Sequence, residues 1–307
     1  MRLLRPPAQD PQVVFSDGHF VYCESSPHGI FLRRSPTLQG LAGATRRRIW
    51  APPARGPYAR NLWAPELHAI GGRWYVYFAA DDGRNENHRM WVLVSESAHP
   101  FGPYRLAGQL DTQGWAIDGT VFRGEGEQLY FLWSGWPGAV DGQQNLYLSR
   151  MRSPTDLVGE RVLLATPDCV WERRGMPICE GPQVLSRGGR LFVVYSASAS
   201  WTSDYCLGLL AHDGGSLLDR ASWRKVGRAF GGNEQAWGVG HCGFVTDGDG
   251  ADWILYHAKT KRRPGWEDRE VRAQRFSWTR AGEPAFGEPR LLRAPVSERS
   301  QRSVGAA

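Results

Sequence analysis

The 307-residue sequence predicts an all-β fold, a five-bladed β-propeller, on three observations. A short polar or small-residue opening, then a Gly-containing turn and a Tyr/Phe/Trp-rich run, occurs five times. The openings are Asp10-Pro11, Ala64-Pro65, Asp118-Gly119, Glu180-Gly181 and His241-Cys242, and they recur after 54, 54, 62 and 61 residues (10 to 64, 64 to 118, 118 to 180, 180 to 241). Short strands bounded by turn residues dominate, and no stretch carries a convincing helical period. Repeats of this length built from short strands suggest one sheet per repeat around a central channel.

Each repeat justifies its strands in turn. In the first, Val13-Val14-Phe15, Asp17-Gly18 and Phe20-Val21-Tyr22 read as a hairpin with Asp-Gly at its turn. The second repeats that unit as Leu67-His68-Ala69-Ile70, Gly71-Gly72 and Trp74-Tyr75-Val76-Tyr77, with Met90–Val94 as a third strand. The third carries Leu129–Trp133 and then Leu146–Ser149. The fourth has Val184-Leu185, Gly188-Gly189, Leu191–Tyr195 and Leu207–Leu210. The fifth has Trp253–Tyr256, and Val271–Trp278 is expected to be its outer strand. Residues before Asp10 are expected to add little. The propeller is expected to occupy residues 1–295 as one catalytic domain, and the Ser/Arg/Gly/Ala-rich residues 296–307 to be a flexible tail.

Composition narrows the function. Hydrophobic residues at 41% and charged ones at 22% describe an ordinary globule rather than a disordered chain. The net charge of +6 comes from scattered Arg, with Lys only at 225, 259 and 261 and a single compact run, Arg46-Arg47-Arg48. That distribution lacks the clustered stripe of a nucleic-acid binder, so no nucleic-acid partner is expected. Five Cys without a CxxC spacing suggest reduced thiols. No apolar run is long enough for a membrane-spanning helix, and no membrane partner is expected. Met1–Pro7 has no apolar leader core, which favours a cytoplasmic protein, or a secreted one if a leader is missing from this chain; a monomer is expected. Fourteen Trp supply wedges between blades or platforms for the apolar face of a sugar.

The chemistry rests on the openings. Asp10, Asp118 and Glu180 each begin an inner strand, beside Gly or Pro, and repeat symmetry would bring them to one end of the channel. Carboxylates gathered in a partly dry cleft repel one another, so at least one is expected to keep its proton near neutral pH. A lone Asp or Glu at a strand start is ordinarily a turn cap; the shared register argues for a joint role. Glycoside hydrolysis uses such a set, one carboxyl as acid and another as base. His241 takes the fifth opening and could ligate a cation on the axis, whereas His257 reads as structural. Trp63 is placed to stack on a sugar, or to be buried between blades. Ile117, Trp133 and Arg272 are further candidates for substrate contact, and Arg269 is an alternative to Arg272.

These residues form a familiar set. Asn61-Leu62-Trp63-Ala64-Pro65-Glu66-Leu67-His68, Trp171-Glu172, Glu180-Gly181-Pro182, Tyr195–Ser198, Asp204–Leu210, Gly240-His241 and Tyr256-His257-Ala258 together resemble glycoside hydrolase family 43, from about residue 9 to 292. The resemblance implies a five-bladed propeller and an inverting mechanism, with Asp10 as general base, Glu180 as general acid and Asp118 tuning and orienting the acid. It also implies an axial calcium ion held in part by His241. Two departures stand out: Cys242 follows the axial His where relatives commonly have Asn, and Arg269-Glu270-Val271-Arg272 stands for an Arg-His-x-Arg stretch. The motifs look most like the branch that releases terminal α-L-arabinofuranose from arabinan- or arabinoxylan-derived oligosaccharides. A β-xylosidase on the same framework and a non-catalytic carbohydrate-binding propeller are the alternatives.

Overall fold

The structure, a computed structural model, describes residues 1–290. Five four-stranded antiparallel sheets are arranged as the blades of a β-propeller. Blade 1 comprises Gln12–Ser16, His19–Ser26, Gly29–Ser35 and Arg47–Trp50, and blade 2 Arg60–Ile70, Arg73–Asp81, Arg89–Ser95 and Tyr104–Gln109. Blade 3 runs through Ala116–Arg123, Leu129–Gly135, Asn145–Ser153 and Asp156–Ala165. Blade 4 runs through Cys179–Arg187, Arg190–Ala197, Cys206–His212 and Trp223–Phe230. Each of these four follows chain order from the inner strand outward.

Blade 5 does not. Its inner strands are Trp237–Thr246, Asp252–Lys259 and Arg269–Arg275, but its outermost strand is Arg2–Leu4 from the start of the chain. Residues before Asp10 therefore contribute more than expected: they close the ring by pairing Arg2 with Arg272 and Leu4 with Val271. The stretch read as the outer strand of this blade is instead its third, and Ser277–Trp278 leaves it to pair with Pro284–Ala285. The expected division at residue 295, with a tail over 296–307, lies outside the described residues.

The aromatic runs are continuous rather than alternating because both faces of a blade are buried against neighbours. In blade 4, Val193 and Tyr195 face blade 3 while Phe192 and Val194 face blade 5. Blade 1 sends Val21 and Cys23 toward blade 2, and Phe20 and Tyr22 toward blade 5. Five apolar clusters result, one wedged between each adjacent pair of blades. The inner strands of neighbouring blades pack against one another, and their openings surround one axis. All five cysteines are free.

Candidate active site

One backbone feature repeats around the axis. Asp10, Ala64, Asp118, Gly181 and His241 all adopt the left-handed conformation, with φ of 47°, 41°, 56°, 53° and 44°. In blades 2 to 5 the pairing register breaks at the same place, between Trp63 and Glu66, Ile117 and Thr120, Glu180 and Gln183, and Gly240 and Cys242. Such breaks re-aim side chains and are common beside functional sites. Left-handed backbone is costly for residues with a Cβ, and Asp and His bear it better than most.

This geometry revises the repeat. Glu180 is not the equivalent of Asp10, Ala64, Asp118 and His241; Gly181 is, giving intervals of 54, 54, 63 and 60 residues (64 − 10, 118 − 64, 181 − 118, 241 − 181). Glu180 instead matches Gln9, Trp63 and Ile117, the residues immediately before the left-handed position, and all four line one cleft. Asp10, Asp118 and His241 thus form one tier, and Glu180 enters from the adjacent tier. Gly181 makes room: a Cβ there would lie 3.1 Å from His241 Nδ1 and 3.2 Å from Ser196 Oγ.

The cleft holds about 560 Å3 and brings together the three expected carboxylates with Trp63, Ile117 and His241. A volume in this range accommodates small-molecule ligands. Asp10 Oδ1 lies 3.4 Å from Nδ1 of both His241 and His257 and 4.0 Å from an Arg269 nitrogen. Asp118 Oδ2 accepts the Gly181 N–H at 3.0 Å and lies 3.8 Å from His241 Nδ1. Glu180 Oε1 accepts the Tyr205 hydroxyl at 2.8 Å. The Tyr205 ring lies flat against His257, centroids 5.4 Å apart and planes 9° from parallel.

These surroundings split the protonation states. Burial works against charge on Asp10, but His241, the His257 hydrogen bond and Arg269 outweigh it and hold this carboxyl well below the usual range. Burial pushes Glu180 up to about 7; the Asp10 charge adds to that, while the Tyr205 hydroxyl and Arg269 oppose it. Burial, then the Glu180 and Asp10 carboxylates, drives Asp118 well above the ordinary value, only partly offset by the Gly181 N–H. His257 is pushed down to about 4, chiefly by burial, and is neutral at pH 7. One carboxylate is therefore held ionised beside two whose ionisation is pushed to higher pH.

Trp63 is half-buried and stacks on His88 with centroids 4.0 Å apart. His88 is fixed in turn by Asp81 at 3.0 Å, so the Trp63 ring is held from beneath. Two expected contacts lie elsewhere. Trp133 is fully buried in the wedge between blades 2 and 3, packed against Phe131 and Tyr147, because its strand is central and both its faces are covered. Arg272 is buried on Glu270 at 2.8 Å and on the Gln235 carbonyl at 2.9 Å. Strand alternation puts Arg269, not Arg272, in the cleft.

Sequence reasoning missed Tyr205, Trp115, Trp201 and Trp266 as lining residues, and it gave His257 a structural role although it touches Asp10. His257 lies in the Tyr256-His257-Ala258 motif, which could have signalled it. The Trp residues sit on loops with no repeat register to align them.

The calcium expectation meets a sparse ligand set. Calcium favours six to eight oxygens, whereas His241 offers ring nitrogens, and its Nδ1 already faces Asp10 and Asp118. Among the described residues, the side chains close enough to form a three-ligand set are Asp168, Cys169 and Glu172. There the Lys225 ammonium already sits on Glu172 at 2.8 Å and also bonds Asp168. The side chains at His241 do not by themselves build a calcium cage.

The sequence profile of glycosyl hydrolases family 43 matches residues 3–284. The chain is 39% identical over 255 residues to the extracellular exo-α-(1→5)-L-arabinofuranosidase of Streptomyces chartreusis, covering 80% of this chain and 77% of that protein. It is 35% identical over 297 residues to the protein of the same name from Streptomyces avermitilis, covering 91% of this chain and 61% of that one. The chain thus spans about three-fifths to three-quarters of these relatives. Both are named as extracellular, at odds with the cytoplasmic expectation. The crystal structure of an α-L-arabinofuranosidase from Lactobacillus brevis superposes with a TM-score of 0.88 at 32% identity, covering 94% of this chain and 97% of that one. The chain belongs to glycosyl hydrolases family 43 and is a glycoside hydrolase acting on a glycan.

Proposed function

We propose that this protein is an inverting, exo-acting α-L-arabinofuranosidase that releases terminal arabinofuranose from arabinan- or arabinoxylan-derived oligosaccharides. The names of the relatives support the sugar, and the extracellular label of two of them supports action outside the cell. The observation that supports the mechanism is the meeting of Asp10, Asp118 and Glu180 in one cleft, Asp10 against His241, His257 and Arg269 and Glu180 on the Tyr205 hydroxyl; these neighbours hold Asp10 low while burial raises Glu180.

In this reading Asp10 is the general base. Its carboxylate takes a proton from a water as that water attacks the anomeric carbon from the face opposite the leaving oxygen. Glu180 is the general acid and gives its proton to the leaving oxygen as the C–O bond breaks. One displacement inverts the configuration, leaving Asp10 protonated and Glu180 ionised. Proton exchange with solvent resets both. Asp118 anchors Gly181 and so positions the backbone of Glu180; the pair resists double ionisation, which keeps a proton in the site. Trp63 offers an aromatic face to the sugar, and Ile117 an apolar one.

The test compares 4-nitrophenyl α-L-arabinofuranoside with 4-nitrophenyl β-D-xylopyranoside, following the released sugar by NMR. Turnover of the arabinofuranoside with the β-anomer of arabinose appearing first is expected. Preference for the xyloside, or first release of the α-anomer, would refute the sugar or the mechanism respectively. Absence of turnover on both would favour a binding role.

A further inference from the structure

Two loops meet at the rim of the cleft, one around Ser200–Asp204 after the second strand of blade 4, the other spanning 260–268 in blade 5. Each contributes a Trp to the cleft lining. Trp201 and Trp266 meet edge to face with centroids 5.6 Å apart, and the Trp266 Nε1–H donates to Ser200 Oγ at 3.1 Å. Trp266 remains 47% exposed, unusual for so large an apolar surface and suited to stacking on a ring that arrives from solvent.

Beneath this pair lies Lys259, which is fully buried. Its ammonium donates to the Trp201 carbonyl at 3.3 Å and to the Gly265 carbonyl, and lies 3.6 Å from Asp268. An ammonium has three protons and here three acceptors, two of them loop carbonyls next to or at the aromatic residues. The stem reaches this point because Gly238 has no side chain; a Cβ there would lie 2.7 Å from the Lys259 stem. Gly265 N–H also donates to the Trp201 carbonyl at 2.9 Å, so the lysine clamps a junction at which both loops already touch. Arg269 braces the same loop independently of the lysine, its Nε donating to the Trp266 carbonyl at 3.1 Å.

We propose that Lys259 is a positioning residue that holds Trp201 and Trp266 as an aromatic lip, and that this lip takes the sugar ring next to the one being released. The proposal rests on the glycosidase reading of the cleft. The buried charge is the costly part of the device, since an unpaired ammonium there would be strongly unfavourable. A lysine that merely stabilised the fold would not distinguish substrates by the presence of a second ring. One that shapes a rim would.

The experiment uses Lys259→Met, which keeps the stem and removes the charge, against two substrates. An α-1,5-linked arabinotriose has a ring for the lip, whereas α-L-arabinofuranosyl azide has none. The variant should raise KM for the trisaccharide about three- to tenfold, the scale of one lost aromatic contact, and leave kcat/KM for the azide within about twofold. Equal losses on both substrates, or no change on either, would overturn the lip. Should Lys259→Met fail to fold, Trp266→Ala reads the same trisaccharide KM, and an unchanged value there overturns the proposal. Failure of the wild-type enzyme to hydrolyse either substrate would count against the glycosidase reading itself. In that case quenching of Trp fluorescence by arabinotriose in Glu180→Gln, lost in Glu180→Gln/Trp266→Ala, still decides the lip.

Discussion

The Tyr205 hydroxyl donates to Glu180 Oε1 at 2.8 Å while the Tyr205 ring covers His257, which in turn lies 3.4 Å from Asp10. One side chain thus touches the residue assigned as acid and packs on the neighbour of the residue assigned as base. A hydrogen bond to a carboxylate favours its ionised form, so this contact restrains the rise that burial imposes on Glu180.

Tyr205→Phe should therefore move Glu180 further up. The acid works only while protonated, so activity falls as pH rises through its pKa of about 7. Removing one hydrogen bond to a charged group should shift the basic limb of kcat/KM upward by about one pH unit. A basic limb that stays in place, or moves down, would show that the hydroxyl does not act on the charge of the acid.

Glu180→Gln and Asp10→Asn should separate the two roles. Loss of the acid should lower turnover of arabino-oligosaccharides by about 10²–10⁴ and spare much more of the activity on 4-nitrophenyl α-L-arabinofuranoside, whose leaving group needs little protonation. Loss of the base should lower both by a similar factor. Equal residual activity of Glu180→Gln on the two substrates would remove Glu180 from the acid role, and an active Asp10→Asn would remove Asp10 from the base role.

The same shift makes Glu180 a cost to stability. In the unfolded chain it ionises near 4.5, whereas the folded site keeps its proton to about 7. The folded state holds the extra proton between those values, so stability declines as pH rises from 4.5 to 7, by about 3 kcal/mol for such a shift. Glutamine carries no such charge. Glu180→Gln should melt higher than the wild type at pH 8, with the gap closing toward pH 4.5. A gap independent of pH, measured by calorimetry, would contradict the shift.

Gly181→Ala should affect both fold and chemistry. The position has φ 53°, and the added Cβ would press on His241 and Ser196. A loss of about 1–3 kcal/mol is expected from strain, together with at least about tenfold lower kcat as His241 moves from Asp10. Gly188→Ala is the control. It has φ 57° but open space, so its melting temperature should fall without loss of kcat. Equal kcat values for the two variants would show that the space beside His241 is not needed.

Chelation tests the axial cation. The side chains around His241 do not form a calcium cage, so activity after dialysis against EDTA should stay within about twofold of the untreated enzyme. A larger loss, restored by calcium, would show that the enzyme needs a cation despite them.

The repeat length, the five aromatic runs and the Gly-containing turns made the five blades legible, because each blade buries both faces and must carry an apolar run of similar length. The motif residues made the carboxylates legible as a set. The register of the fourth blade was not legible: Glu180-Gly181 matches the other openings as a string of residue types, and only φ values distinguish the left-handed residue from its neighbour. Trp133 and Arg272 failed for a related reason, since a composition-based choice of aromatic or Arg says nothing about which face of a strand it occupies.

The sequence by itself determined the blade count, the all-β class and which three carboxylates meet in the cleft, since these follow from local patterning and residue type. Tertiary structure alone decided the rest. Arg2–Leu4 closes the ring by pairing with Arg269–Arg275, a partner strand some 270 residues away in sequence that no local pattern announces. His257 and Arg269 converge on Asp10, and burial meets Glu180, only once five inner strands surround one axis. A carboxyl's proton depends on the charges and solvent around it, and those neighbours come from separate blades.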